Sequence, residues 1–455
     1  MKNIWFSIIM LCAALPVFSQ EPQAPLRINP QLATEMAIRN NLNLEAARLG
    51  LDIRRRGADF AWNNFLPSAT VTGTLLRDNV ATLTPMGMAL PQWNATGALT
   101  ATLDFSFALV EGIRTARLDY EAGRISHERA KLQMEQGVRR MYNSILLLEA
   151  NLDLLRESLA NAERQAGIAE VNFNAGMAPR LTWLQAQVAV ANIKPSVSNL
   201  ENNLNILKRN FALLLGLPFD TQLELEPLHF GESDIPLTLD ELISRAVSQK
   251  PEVIELQANI STMQSLLRAL NLHHFTPFLR LGWTLSYLFN PFLDPLQDDL
   301  FSGDNWNRGG NFSVTLGMSL NGLFPFTREG QQRRDLQTSL QIQNIRLAQT
   351  IRETELEVFR TLASLENILE NVEAQRATVE LAEESFRLTE EAHRAGLQEF
   401  QAVQGAALAL DQARLELLTQ QFNFLNNLID LEYAIGLPFG TLSADGALDN
   451  NGSVR

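Results

Sequence analysis

Cysteine is almost absent from this chain: the single residue, Cys12, lies within the first 19 of 455 residues. That opening stretch carries a basic residue, an apolar run over 4–15 and small residues before position 20. These features predict a secretory signal peptide over 1–19, with a short N-terminal anchor as the alternative. Once the signal is removed, the chain can form neither a disulfide nor a cysteine nucleophile.

Other absences exclude further classes of protein. Beyond the signal there is no run of 18 apolar residues, so no helix is predicted to cross a bilayer. The net charge of −14, without a basic cluster, argues against a nucleic-acid partner. The sequence has neither a Gly-rich phosphate loop nor an HExxH pair, and the acidic loop 294–307 lacks calcium-loop spacing. We therefore predict no catalytic site, no cofactor, no metal site and no enzymatic activity.

What the sequence does contain is an internal repeat. The segment AGMAPRLTWLQAQ, which contains Gly176, resembles AGLQEFQAVQGAA, which contains Gly396. Farther on, LLLGLP with Gly216 resembles YAIGLP with Gly436, and both glycine pairs are 220 residues apart. Several landmarks at one offset indicate a tandem duplication.

The predicted organisation follows from this repeat. After the signal peptide, the first repeat is predicted over 20–220 and the second over 221–440. The polar end of the chain, 441–455, is predicted to be disordered.

Each repeat holds two segments that alternate with a period of two, the pattern of strands with one apolar face. The four predicted strands cover about 68–75, 95–107, 279–287 and 312–320. In the second repeat the apolar face is predicted to comprise Leu281, Trp283, Leu285, Phe312, Val314, Leu316 and Leu320. Strands of about this length cross a bilayer when tilted, so this face is predicted to contact lipid.

The remainder of the chain is predicted to be helical. Two long amphipathic helices are expected over 112–176 and 330–396, each followed by a return helix. Shorter single helices are expected before each strand pair, over 30–64 and 238–274. Unbroken helices of this length are typical of coiled coils. The sequence thus predicts a rod with strands at one end and glycine turns at the other.

Four strands are too few to close a membrane barrel, because such barrels begin at eight. Either the sheet lies on a soluble core, or several chains pool their strands. Two chains would supply eight strands and three would supply twelve. Pooling is favoured because no other strand is evident to form a second layer. The alternative from another class is a periplasmic coiled-coil scaffold with small β tips and no pore.

The duplicated plan, the glycine turns and the LLGLP helix ends resemble the TolC family of outer-membrane efflux proteins over nearly the whole mature chain. The resemblance implies a mainly α fold with a small membrane β part, built as a homotrimer. Twelve strands would form one barrel in the outer-membrane lipid of a diderm bacterium, and the helices an α-barrel in the periplasm. It also implies docking to a periplasmic adaptor and an inner-membrane pump, for drug efflux or type I secretion.

The family also places an entrance gate at the two glycine turns. Candidate gate or tip residues here are Gly176, Arg180, Thr182, Trp183, His393, Gly396, Gln398 and Glu399. The two positions that hold entrance aspartates in the family are Ala402 and Gly405, and His393 replaces the gate tyrosine. Gln398 replaces an arginine, and Thr182 an aspartate. The sequence therefore departs from the family's latch.

Two interpretations stay open for several of these residues. In a trimer, three copies of Glu399 could form a ring of carboxylates on the threefold axis, which would attract cations. The alternative is a solvated glutamate on a helical turn. His393 is either a pH-sensitive group at that axis or a surface histidine without a role. Trp183, like Arg180, is a candidate adaptor contact, but packing between helices is equally compatible with it.

Overall fold

The computed structural model describes residues 25–77, 79–80, 93–228, 238–289 and 306–442. The predicted signal peptide with Cys12 lies outside these residues, as does the predicted tail beyond Leu442. The helices are α1 (Pro30–Asn40), α2 (Leu42–Asp59), α3 (Phe107–Asn174), α4 (Arg180–Leu214), α5 (Leu239–Gln249), α6 (Pro251–Phe275), α7 (Arg328–Arg394) and α8 (Phe400–Ile435). The strands are β1 (Leu26–Ile28), β2 (Ser68–Arg77), β3 (Trp93–Phe105), β4 (Leu223–Leu225), β5 (Phe278–Phe289) and β6 (Trp306–Gly317).

Helices dominate, which confirms the prediction of a mainly α fold. The two long helices, α3 and α7, have 68 and 67 residues and are followed by the return helices α4 and α8. Ion pairs within a helix support their solvated surfaces: Arg387 contacts Glu384 at 2.6 Å and Glu391 at 2.8 Å. Each such pair, three or four residues apart, stabilises a helix by about 0.2–0.5 kcal/mol.

Four glycines end the long and return helices in the same way. Gly176 and Gly396 both have φ of 75°, a left-handed conformation that L side chains disfavour. At the first turn, Gly176 donates its N–H to Phe173 O at 2.9 Å and Met177 donates to Asn172 O at 2.8 Å. These two bonds define the Schellman motif, which satisfies the last carbonyls of a helix.

The second pair of glycines also allows a close approach between helices. Gly216 has φ of 70°, and a Cβ at this position would lie 2.6 Å from Asn40 Cβ. Gly436 has φ of 66°, and a Cβ there would lie 2.9 Å from Gln249 Cβ. In each repeat, therefore, the end of the return helix packs on the end of a short helix, which only glycine permits.

The single short helices predicted before the strand pairs are wrong, because each is two helices. Lys250 precedes Pro251 and adopts φ −60° and ψ 127°, since the proline ring disfavours helical backbone in the preceding residue. In the first repeat, Asn41 has φ −71° and ψ 123°. Its side-chain oxygen accepts the N–H of Asn43 at 2.9 Å and so caps α2.

The four predicted strands form one antiparallel sheet in the order β2-β3-β5-β6. The strand predicted over 312–320 instead covers Trp306–Gly317, so placing Leu320 in it is wrong. The last pair of the ladder joins Phe278 to Gly317. Pro277, next on the partner strand, has no N–H to donate, so the ladder stops there. Leu320 instead precedes a short 3-10 turn, Asn321–Leu323, as its N-cap residue.

A second sheet was not predicted. The three-residue strands β1 and β4 pair in parallel, with Arg27 opposite Glu224. Tyr142 on α3 is fully buried, and its hydroxyl lies 2.9 Å from Ile28 O and 2.7 Å from Glu226 O, either of which can accept its proton. This side chain fastens both short strands to the long helix.

The described residues fall into two compact units, each assembled from both repeats. One comprises described residues within 25–40, 138–228 and 379–418, and its small core joins Ala169, Ala186 and Phe400. The other contains the four-stranded sheet. Its core, from α5, α7 and α8, comprises Leu242, Ala246, Val358, Leu365, Ile368, Phe424, Leu428, Leu431, Ala434, Ile435 and Leu442.

Candidate functional site: the two-faced sheet and the helical turns

The register of the sheet aligns the apolar alternations of all four strands. Directly opposite residues in an antiparallel ladder project from the same face. One row across the sheet consists of Ala69, Ala101, Trp283 and Phe312. The neighbouring rows bring Val71, Leu99 and Leu285 together, and Leu103, Leu281 and Val314. Of the predicted apolar-face residues, all except Leu320 therefore share one surface.

This apolar face is exposed within the described part of the chain. Val71 is 82% exposed, Leu316 75% and Phe312 67%. A contiguous apolar surface rarely stays in water on a monomeric protein. The face therefore requires an apolar environment or a partner that the isolated chain does not supply.

The opposite face of the same sheet is polar. One row consists of Thr70, Thr100, Thr284 and Asn311. In the next row the hydroxyl oxygens of Ser68 and Thr102 lie 2.6 Å apart. Toward the helix end, Arg280 donates to both carboxylate oxygens of Asp104, at 2.6 and 3.1 Å. A surface of hydroxyls, amides and paired charges is suited to water.

The first glycine turn places its candidate residues in different settings. Arg180 is exposed at the first position of α4, and Thr182 is half-buried one residue farther along, after Leu181. Trp183 stacks on Phe173 with ring centroids 5.4 Å apart and an interplanar angle of 8°. It also packs against the cluster that includes Ala186. The structure thus gives Trp183 a packing role within the hairpin, while Arg180 is available to a partner.

A histidine side chain forms a hydrogen bond across the second glycine turn. His393 donates from Nδ1 to Gln398 O at 2.8 Å, and its ring lies 6.0 Å from that of Phe400. Because Phe400 is buried in the core, this contact joins the turn to the helix that follows. The side chains of Gln398 and Glu399 remain exposed.

A groove near these turns was not predicted. It has a volume of about 1010 Å³ and is lined by parts of α3, α4, α7 and α8. Inside it, Arg414 contacts Glu383 at 2.7 Å and Glu157 at 3.6 Å. Burial raises the pKa of the Asp411 carboxyl above its ordinary value, while a hydrogen bond with Ser158 opposes the shift. No sequence pattern distinguishes these residues from other helical acids and bases.

Two further residues of the apolar face lie beyond the predicted ends of their strands, although the period-two alternation extends to them. Counting back by twos from Phe312 gives Arg308, and counting forward from Val71 gives Arg77. Both belong to the alternation of the apolar face. They were overlooked because the predicted strands stopped short of them.

The described helices include none that is long and apolar enough to cross a membrane. Over the same residues, no group of three or more His, Cys, Asp or Glu side chains is placed to hold a metal ion.

Comparison with known proteins bears directly on this architecture. The profile of the family described as "Outer membrane efflux protein" matches residues 33–217 and 299–437. The pyoverdine export outer membrane protein OpmQ of Pseudomonas aeruginosa is 24% identical over 404 residues, covering 84% of this chain and 81% of OpmQ. The probable efflux pump outer membrane protein TtgC of Pseudomonas putida is 23% identical, covering 89% of this chain and 82% of TtgC.

Solved structures show the same fold. The structure of CusC, described in terms of folding and transmembrane channel formation, superposes with a TM-score of 0.73 at 18% identity. The match covers 92% of this chain and 96% of CusC. The family is one of transport proteins rather than enzymes. With the family profile matching most of the sequence in two segments, this chain belongs to the outer membrane efflux protein family and is a non-enzymatic protein of the outer membrane.

Proposed function

We propose that this chain is one subunit of a trimeric export duct, in which three sheets pool into one 12-stranded barrel. The observation that carries the proposal is the two-faced sheet with two open edges. The apolar face would contact lipid, and the polar face would line a water-filled channel.

The strand directions are compatible with closure. Each neighbouring pair in the order β2-β3-β5-β6 is antiparallel, so the edge strands β2 and β6 run in opposite directions. A ring of identical copies joins β2 of one chain to β6 of the next, and this pair would be antiparallel as well. Closure would satisfy the edge N–H and C=O groups, which lipid cannot do.

The number of copies is inferred from strand count and family resemblance. Two chains would supply eight strands, the smallest membrane barrel, and three would supply twelve. We favour three because the resemblance to the TolC family implies a trimer. In that arrangement the long helices would form a hollow cylinder in the periplasm.

The entrance of the duct would lie at the turns around Gly176 and Gly396. A periplasmic adaptor would dock there and spread the helices, and an inner-membrane pump would supply the energy. Exposed Arg180, Gln398 and Glu399 are the tip residues available to such a partner. His393 instead secures its own turn through the bond to Gln398 O. The pyoverdine export named for OpmQ supports a small compound as cargo.

The first test is the mass of the detergent-purified protein, with bound detergent subtracted, measured by light scattering. Three chains per particle, followed by stepwise ionic conductance in planar bilayers, is the expected result. A single chain that stays soluble without detergent would refute the duct and leave the scaffold interpretation.

A further inference from the structure

Two arginines interrupt the apolar face of the sheet. Arg308 belongs to the alternation of β6 that includes Phe312, and Arg77 to the alternation of β2 that includes Val71. Both arginines are exposed. Their strands, β2 and β6, are the two edges of the four-stranded sheet. Each edge therefore carries one cation on the face that the proposed function turns toward lipid.

Both arginines lie near the same end of the sheet. Arg77 is the last residue of β2, and Arg308 follows the start of β6 at Trp306 by two residues. The opposite end is where the strands join α3 and α6. A charge on the lipid face of a strand is strongly disfavoured at the middle of a bilayer but tolerated at its surface, where a long side chain reaches the headgroups. In the proposed barrel the two cations would therefore lie at headgroup depth, at the rim away from the helices.

Aromatic residues accompany the arginines at this rim. In the register, Arg308 is directly opposite Tyr287, and Arg77 is directly opposite Trp93. At the end of the β5–β6 ladder, Phe289 is the register partner of Trp306. Tryptophan and tyrosine concentrate at the boundary between lipid and water. Among the described residues, Arg308 has no ion-pair or hydrogen-bond partner, so its guanidinium is available to a headgroup.

We propose that Arg77 and Arg308 bind the phosphate groups of a diphosphorylated glycolipid in the outer leaflet. The inference rests on the proposed function, because ring closure brings β2 of one copy beside β6 of the next. Each seam between copies would then present Arg77 from one chain and Arg308 from its neighbour. A guanidinium binds a phosphate through two parallel N–H···O bonds. Two arginines at one seam match a headgroup with two phosphates better than a phospholipid with one.

The test uses the full-length protein in detergent and counts bound lipid by native mass spectrometry. The probes are diphosphoryl lipid A, its dephosphorylated form and phosphatidylglycerol. We expect the diphosphorylated lipid to bind at least about tenfold more tightly than either of the others. The double variant Arg77→Gln/Arg308→Gln should lose this preference. Arg280→Gln, which removes one cation from the polar face of the same sheet, should keep it.

Several results would overturn the inference. They are equal binding of dephosphorylated lipid A or of phosphatidylglycerol by the unmodified protein, an unchanged preference in the double variant, or an equal loss in Arg280→Gln. If the glutamine variant does not assemble, the comparison of the three lipids on the unmodified protein still decides. A trimer that conducts ions but shows no phosphate preference would refute only this inference, whereas a detergent-free monomer would refute the proposed function.

Discussion

Replacing Phe312 with arginine tests which face of the sheet meets lipid. Phe312 lies near the middle of β6 (Trp306–Gly317), directly opposite Trp283, and is 67% exposed. If the apolar face contacts lipid, the Phe312→Arg guanidinium is placed close to the centre of the bilayer. If the face is instead solvated, the same change removes one exposed aromatic ring and has little effect on assembly.

The expected magnitude follows from the depth of the residue. Arginine on a lipid-facing strand costs about 2–4 kcal/mol at the midplane and about 0–1 kcal/mol near the surface. Three copies in a trimer would raise the midplane cost to roughly 6–12 kcal/mol, comparable with the whole stability of a typical protein. Leu316 is the next-to-last residue of β6, so Leu316→Arg should be considerably milder than Phe312→Arg.

The assay is the yield of detergent-resistant trimer after folding into lipid vesicles. Ser313→Arg is the matched control, because Ser313 is the next residue on the same strand and projects from the polar face. It should assemble like the unmodified protein and change single-channel conductance. Equal trimer yields for Phe312→Arg and Ser313→Arg, whether both high or both low, would refute the assignment of the faces.

Three other predictions concern stability. Gly396→Ala should lower the free energy of unfolding by about 1–2 kcal/mol, because φ of 75° strains an L residue. The control Gly405→Ala, within α8, should raise the free energy of unfolding by up to about 1 kcal/mol. Chemical denaturation in which both variants shift stability in the same direction would contradict this prediction. Burial lowers the pKa of His274; the neighbouring His273 and Arg333 add to this shift, and Glu329 opposes it. The neutral ring therefore contributes stability above about pH 6.5, and this contribution is lost as pH falls through the lowered pKa of the folded state. His274→Met should therefore reduce the fall in Tm between about pH 7.5 and pH 5, and an unchanged fall would refute the assignment. Glu432 is buried and accepts the N–H groups of Gly440 at 2.9 Å and Leu442 at 2.6 Å. Glu432→Gln should lower the free energy of unfolding by about 1.5–3 kcal/mol and speed proteolysis after α8. The control is Glu380→Gln, on the exposed surface of α7. An effect of Glu432→Gln no larger than that of the control would show that these hydrogen bonds contribute little.

The strand faces were predictable because a period of two is a local property. The alternation within a single strand is enough to assign Val71, Trp283 and Phe312 to the apolar face, whichever strand pairs with it. The end of a strand is different, because it depends on the neighbouring strand. The alternation continues through Met318 to Leu320, but pairing stops where Pro277 ends the partner's ladder.

Other features depended on contacts that no local pattern encodes. The strands β1 and β4 have three residues each, too few to show a period. Burial of His274 comes from packing against the turn around Gly322, where a Cβ would lie 2.4 Å from His274 Cβ. The break at Pro251, by contrast, was readable, because the residue before a proline rarely stays helical.

The central pairing of the sheet has a consequence for how the chain reaches its final form. Strand β3 pairs with β5, and the ion pair between them joins residues 176 positions apart. The β2–β3 hairpin is therefore synthesised long before its neighbour β5 exists, and until then its apolar face is uncovered and both of its outer edges are unpaired. Contacts this distant in sequence form slowly and leave such segments prone to aggregation. In the proposed barrel, insertion would therefore await the entire polypeptide, and the early hairpin would need shielding until then.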